Sequence, residues 1–307
     1  MPVVQICPRP PFDFSLSAAI FSFGDPQIRK YVHDTFYQAL EIRGSPVLIE
    51  LVSTGSVDIP ELRFSLHSHN PLSADTITGI QGLVSSMFSV SDDMSPFYQA
   101  MDRDSFMAGL IPRLRGLRVP VTPTVFEALV DSVIEQQISL TAARRIENRL
   151  IRVAGNRAVF DGNTWYCYPT PGILATTTDS TFRACGLTLR KGEYIRGISR
   201  DFLAGNPDLE QFRNFPDTDS IISELVKIRG VGRWTAELTI LRGLHRADAF
   251  PADDVGVRRF ISQYYREGEK ISAAEARVFA ERWGPWKGFV AYYLEVADLL
   301  GIKPGTG

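Results

Sequence analysis

Two short stretches of this sequence carry residue types that can do chemistry. The first is Leu225–Leu241, which reads LVKIRGVGRWTAELTIL. An apolar-patterned helix ends at Ile228, Gly230-Val231-Gly232 follows, and a second helix begins at once. Two glycines around one apolar residue permit a tight turn with unusual backbone angles. Such a turn at a helix start exposes backbone N–H groups, and with the helix dipole these suit a phosphate oxygen. Val231 is expected to tuck between the two helices and fix their angle. Carbonyls left free at the turn, those of Val226, Ile228 and Val231, suit a monovalent cation (Na or K) bridging to the phosphate. An ordinary αα-hairpin with a glycine turn explains the same letters.

The second stretch is Ala249–Val255, AFPADDV. Asp253 and Asp254 stand where a helix should begin. Pro251 restricts the entry, and Val257, Phe260 and Ile261 give that helix an apolar face. Aspartate is a favoured N-cap, and capping needs at most one of the pair. The other is free to point into a cleft beside the hairpin. A carboxylate there can stabilise a developing cation, or orient or deprotonate water.

The elements that position these residues are read from hydrophobic period. The fold class expected is α+β. A mixed α/β domain spans residues 1–111 and a helical region spans 112–307. In the first part, Val47–Val52 and Leu62–His67 are β-rich runs, punctuated by Gly55 and Pro60. Ile28–Leu40 and Ser73–Phe88 read as helices, the second with Ser73 as N-cap and apolar Ile77, Ile80, Leu83, Val84 and Met87 at helical spacing. The stretch Ile111–Pro123, with three prolines, three arginines and a glycine, reads as the junction. Beyond it helices are expected over Thr124–Gln137 and near 140–154, 190–204, 218–227, 231–243, 255–265, 273–283 and 286–299.

Composition narrows the class. Of 307 residues, 44% are hydrophobic and 22% charged, as in an ordinary soluble globular protein. The start, MPVVQICPRPPFDF, lacks the basic-then-apolar order of a signal peptide, and no apolar run approaches the ~20 residues of a membrane span. A cytoplasmic protein is expected, nuclear if the source is eukaryotic. Cys7, Cys167 and Cys185 are too few and too scattered for a disulfide framework or the four thiolates of an iron–sulfur cluster. The net charge of −2 means that any nucleic-acid contact rests on a local surface. Arg113, Arg115, Arg118, Arg144, Arg145, Arg149, Arg190, Lys191 and Arg196 are candidates, although each singly is better read as a solvated or paired residue. His67 and His69 share a strand face without a further ligand nearby, so a solvated face is expected there. His245 reads as a surface loop residue, and Trp283 and Tyr292 read as core.

Hairpin, helix and the aspartate about 20 residues beyond Gly232 resemble the signature of the helix-hairpin-helix (HhH-GPD) DNA glycosylase superfamily. Within it the chain resembles the 3-methyladenine DNA glycosylase II (AlkA) type. PPFDFSLSAAIFSF is similar to the opening of that family's N-terminal domain, VIEQQISLTAARRI to its DNA wedge, and RWGPWKGFVAYYLE to its C-terminal helix. The resemblance implies a TBP-like antiparallel sheet followed by two all-α subdomains flanking a cleft. It implies a monomer acting on damaged double-stranded DNA, with no membrane contact and no iron–sulfur cluster. Asp254 matches the catalytic aspartate, which leaves Asp253 as the cap. Trp234 and Trp286 match aromatic residues of the base pocket. Leu238 stands where a tyrosine can occur, so the pocket has one aromatic fewer. Gln136 and Gln137 fall at the turn that fills the gap left by a flipped base, with Gln137 in place of the usual leucine. Gly230, Val231, Gly232, Arg233 and Thr235 fall in the DNA-gripping hairpin. Ile20, Phe21, Phe12 and Phe14 read as core, with one of them approaching the pocket. Members with lyase activity carry lysine at the position of Trp234, so the resemblance implies hydrolysis of the N-glycosidic bond of an alkylated base, leaving an abasic site in base excision repair. A glycosylase for oxidised or deaminated bases and a non-enzymatic DNA-binding module are the alternatives.

Overall fold

The computed structural model describes residues 3–302. Strands β1 (Val3–Ile6), β2 (Arg29–Val32), β3 (Thr35–Ile42), β4 (Ser45–Ser53) and β5 (Leu62–Ser68) form one antiparallel sheet in the order β1-β5-β4-β3-β2. One face carries Phe36, Leu40, Val47, Ile49, Leu51, Phe64 and Leu66. It packs against Phe12, Phe14 and the helix Ala74–Met87, which Ser73 caps by accepting from the Thr76 N–H.

The helix expected at Ile28–Leu40 is instead the hairpin β2–β3. Its apolar residues satisfy both a helical and an alternating pattern, so period alone does not decide. The turn decides: His33 and Asp34 both have positive φ, 49° and 57°, between the paired Val32 and Thr35. Two left-handed residues are what a tight two-residue hairpin demands.

A second hairpin, β6 (Arg157–Phe160) with β7 (Asn163–Tyr166), was not expected. It is closed by Asp161-Gly162, also both at positive φ. Its Ala158, Phe160, Trp165 and Cys167 cover the other sheet face at Ala39 and Leu48. The histidine face is therefore covered: His69 stacks on Phe160 with centroids 4.9 Å apart, and His67 Nε2 lies 3.0 Å from Glu50.

The sheet's hydrophobic cluster ends at Val90, and the helical cluster begins at Met94. The short helices Ser95–Met101 and Ser105–Leu110 thus belong to the helical core, upstream of the Ile111–Pro123 junction. Arg118 in that junction is fully buried, donates from Nη2 to the Arg9 carbonyl at 2.7 Å and lies over Phe12. It joins the two cores and does not face DNA.

The long helices follow the expected bounds closely: Val125–Glu135, Leu140–Ala154, Leu189–Leu203, Thr218–Leu225, Arg233–Leu244, Val255–Tyr265, Ala273–Ala280 and Lys287–Leu299. Short ones at Phe14–Ala18, Pro171–Thr176 and Asp179–Cys185 span too few residues to reveal a period. Among the described residues no helix is long and apolar enough to cross a membrane.

Candidate active site

The hairpin begins with Thr218–Leu225, capped by Asp217, and passes through Val226–Gly232 into Arg233–Leu244. Gly230 has φ +94°, and a Cβ there would stand 2.4 Å from the Tyr194 ring. Glycine is required there both by backbone angle and by contact. Val231 is buried in the helical core as expected, and the Ile228 carbonyl accepts its N–H at 3.0 Å. Gly232 differs, with φ −95° and open space where a Cβ would be. It is the N-cap of Arg233–Leu244, and no side chain caps that end. The first-turn N–H groups are therefore left for an incoming acceptor.

Gln136 is half-buried and tied to the hairpin. Its Nε2 donates to the Gly230 carbonyl at 2.8 Å and to Thr235 Oγ1 at 2.9 Å. Thr235 is buried, so its hydroxyl is a structural bridge. Lys191 Nζ donates to the carbonyls of Ile134 and Gln136, at 2.8 and 2.6 Å, and closes the end of Val125–Glu135. Above this anchored base Gln137 is exposed with φ +57°, flanked by exposed Ile138 and Leu140. Of the two glutamines, Gln137 is the exposed one.

Beside the hairpin lies a cleft of about 1060 Å³, lined by Trp234, Leu238, Asp254, the Gln136–Leu140 loop and Ile20 and Phe21 of the N-terminal domain. Asp254 is the N-cap of Val255–Tyr265. Its Oδ1 accepts from the N–H groups of Gly256 and Val257, at 2.7 and 3.1 Å. This corrects the expected division of labour, in which Asp253 caps. Capping falls to the residue directly before the first helical position, which is Asp254. Asp253 is half-exposed, with Oδ2 3.6 Å from Arg277. One carboxylate thus has two faces: Oδ1 is fixed by the helix, and Oδ2 accepts from Trp234 Nε1 at 3.1 Å.

Trp286 is not brought to this cleft. It packs on Phe97 and Phe289, with centroids 5.6 and 5.9 Å away, because the Gly284-Pro285 kink turns it toward the core. Tyr292 is buried in the core as expected, and it also borders the cleft with Glu295. Both lie on Lys287–Leu299, three residues apart. The signal available was Glu295 itself, a charge inside an otherwise apolar run. Arg233 is tied through Nε to the buried Glu237 at 2.9 Å, and Arg277 holds the same carboxylate at 2.6 Å.

Residues 130–286 match the family described as "HhH-GPD superfamily base excision DNA repair protein". The chain belongs to this superfamily. It is 31% identical over 209 residues to the DNA-3-methyladenine glycosylase of Bacillus subtilis (strain 168), which covers 67% of this chain and 68% of that protein. The solved structure of the 3-methyladenine DNA glycosylase from Archaeoglobus fulgidus has the same fold. It has a TM-score of 0.84 and 24% identity, over 97% of this chain and 99% of that one. The Schizosaccharomyces pombe 3-methyladenine DNA glycosylase, solved in complex with abasic DNA, matches with a TM-score of 0.55 and 25% identity, over 65% of this chain and 95% of that one.

In this HhH-GPD protein the inner cleft wall is acidic. Asp131, Glu135, Glu147 and Glu295 line it, balanced by Arg242, whose Nη1 donates to Glu135 at 2.6 Å, and by Arg29, 3.4 Å from Glu147. Burial raises the pKa of Asp131, Glu147 and Glu295. Nearby Glu127 is pushed up to about 8, chiefly by burial. Unfolding returns it toward 4.5, so the folded state holds the extra proton between the two values. Its contribution to stability is fully present below about pH 4.5 and is lost as pH rises through about 8. Glu127→Gln is expected to raise the unfolding temperature at pH 8.5 more than at pH 5, read by thermal denaturation across that range.

The basic candidates divide. Arg115 pairs with Asp58 at 2.5 Å, Arg196 pairs with Asp179, and Arg190 Nε donates to the Tyr194 hydroxyl at 2.6 Å. Arg144 lines the cleft, and Arg145 and Arg149 are exposed on the helix that follows the Gln137 loop. His245 is no simple loop residue. It ends Arg233–Leu244 in a left-handed conformation, with Nε2 2.5 Å from Asp92.

Proposed function

We propose that this protein is a monofunctional DNA glycosylase that extrudes an alkylated base of the 3-methyladenine kind and hydrolyses its N-glycosidic bond. The observation that carries the reading is the Asp254 carboxylate, locked through Oδ1 and presented through Oδ2 beside the Trp234 indole in the cleft next to the hairpin.

The hairpin's uncapped N–H groups and Gly232 take a backbone phosphate. Three neutral carbonyls, those of Val226, Ile228 and Val231, suit a monovalent cation at the same turn. The Ile228 oxygen keeps a second lone pair beyond the one that accepts the Val231 N–H. Extruding the base costs roughly a few kcal/mol, less for a weakly paired lesion, and Gln137 fills the vacated stack. Inside the cleft Trp234 and Tyr292 offer aromatic faces. A base carrying positive charge gains about 0.5–2 kcal/mol from each such contact. Bond cleavage then builds positive charge on the deoxyribose. Asp254 stabilises it and orients the attacking water, without moving, because two backbone N–H groups and an indole already fix it.

A lyase step requires an amine nucleophile. Position 234 is tryptophan, and among the described residues no lysine lines the cleft. Incubation with methylated duplex DNA is expected to release 3-methyladenine and leave abasic sites, and borohydride is expected to trap no covalent adduct. Release of 8-oxoguanine in its place, or a trapped adduct, overturns the proposal.

A further inference from the structure

We propose that Arg145 and Arg149 form a second grip on the DNA backbone, the charged counterpart of the hairpin's neutral one. This rests on reading DNA as the substrate. The two arginines are four apart on Leu140–Ala154, so they share a face and stand about 6 Å apart along the axis. Arg144 and Asn148, each one position earlier, line the cleft. The arginine pair is exposed and therefore occupies the solvent side of the same cleft wall.

A net charge of −2 gives no general attraction for a polyanion, so the pull must come from cations that no carboxylate neutralises. The hairpin's own cations are already matched. Lys227 Nζ lies 2.6 Å from Glu224, Arg229 Nη2 3.6 Å from Glu193, and Arg233 Nε 2.9 Å from Glu237. The hairpin thus offers a phosphate neutral N–H groups and little net charge. Arg145 and Arg149 differ: among the described residues neither guanidinium makes a hydrogen bond or an ion pair. The acid between them, Glu147, is turned to Arg29 at 3.4 Å. One turn further on, Arg152 is held by Asp25 at 2.6 Å, and the free charge ends there.

Two like charges four residues apart repel and weaken their helix, so folding does not account for the pair. A row of phosphates does, and the surface is continuous with the rest of the DNA-facing structure. The arginine helix leaves the Gln137 loop directly. A Cβ on Gly186 would stand 3.4 Å from Arg149 Nη1, which puts that guanidinium over the turn leading into Leu189–Leu203. The latter helix carries Lys191, which holds the Gln136 carbonyl, and Tyr194, whose ring lies against Gly230. Hairpin and arginine pair therefore lean on one support, with the Gln137 loop tied to both. Phosphate contacts fix register and orientation, and two of them here would hold the duplex on either side of that loop.

The experiment is binding of an undamaged duplex, read by anisotropy from about 50 to about 200 mM salt. It compares wild type, the double variant Arg145→Gln with Arg149→Gln, and the charge-matched double variant Arg43→Gln with Arg63→Gln, at exposed positions of the N-terminal sheet. Losing two phosphate contacts is expected to flatten the slope of log affinity against log salt by about 1.8, at ~0.9 per contact, and to lower affinity about tenfold or more near ~0.1 M salt. The unfolding temperature should hold, because neither arginine has an intramolecular partner to lose. The charge-matched variant is expected to keep the wild-type slope. An unchanged slope in the Arg145 and Arg149 variant, or an equal flattening in the matched one, overturns the inference. A wild-type protein that binds with the full slope and releases no base overturns the glycosylase reading and leaves the grip standing, which keeps the two failures distinct.

Discussion

Asp254→Asn is expected to bind DNA as the native protein does and to release base about 10²–10³-fold more slowly. Asparagine caps a helix about as well as aspartate, so its Oδ1 can keep the Gly256 and Val257 N–H bonds and the start of Val255–Tyr265 holds. What goes is the charge at the second oxygen. The side-chain amide also places a donor against the Trp234 Nε1–H, a bond that an oxygen now accepts at 3.1 Å. Single-turnover release from methylated DNA reads the loss, and anisotropy with an abasic duplex reads binding. Asp253→Asn is the matched control: that side chain is half-exposed and only 3.6 Å from Arg277, so release is expected to stay near wild type. Equal release by native protein and Asp254→Asn refutes the catalytic assignment.

The neighbouring acids illustrate what a sequence can and cannot resolve. Two aspartates before an apolar-patterned helix announce a cap and leave one spare carboxylate, and the expectation divided the tasks between them. The fold gives the cap to Asp254 and leaves its second oxygen on the Trp234 indole in the cleft, because a carboxylate has two oxygens and each can serve a different side. Letters cannot show that. The hairpin was legible for a different reason. Gly230 answers to a backbone angle, and Val231 to a single apolar slot, so both requirements are local. Pocket residues are set by long-range packing, and there the reading faltered. Trp286 has the expected residue type but turns into Phe97 and Phe289. Tyr292 is core as read, and only the fold shows that it also borders the cleft. The N-terminal part was readable where alternation was clean, as in β4 and β5. It failed at Ile28–Leu40, where one apolar spacing fits two periods and the decision rests on two left-handed residues, His33 and Asp34.

Gly230→Ala should cost the most in DNA affinity among hairpin substitutions. A side chain at φ +94° is strained by about 1–2 kcal/mol, and a Cβ 2.4 Å from the Tyr194 ring forces a further displacement. The turn cannot move alone. The Gly230 carbonyl accepts from Gln136 Nε2, and the Gln136 carbonyl accepts from Lys191, so a shift at the turn reaches the loop that carries Gln137. The expected result is a fall of several degrees in unfolding temperature, taking roughly 2–4 °C per kcal/mol for a chain of this size. DNA affinity should fall at least about tenfold, as phosphate grip and wedge are displaced together. Adding Tyr194→Ala removes the clash and leaves the strain, so it should restore part of the stability. Gly232→Ala is the contrasting variant. Its φ of −95° suits any residue and its Cβ meets open space, so the fold should be kept. Any loss of affinity there reports the approach of the phosphate itself. If Gly230→Ala retains native stability and native DNA affinity, the hairpin is an ordinary helical turn and the DNA grip lies elsewhere on the protein.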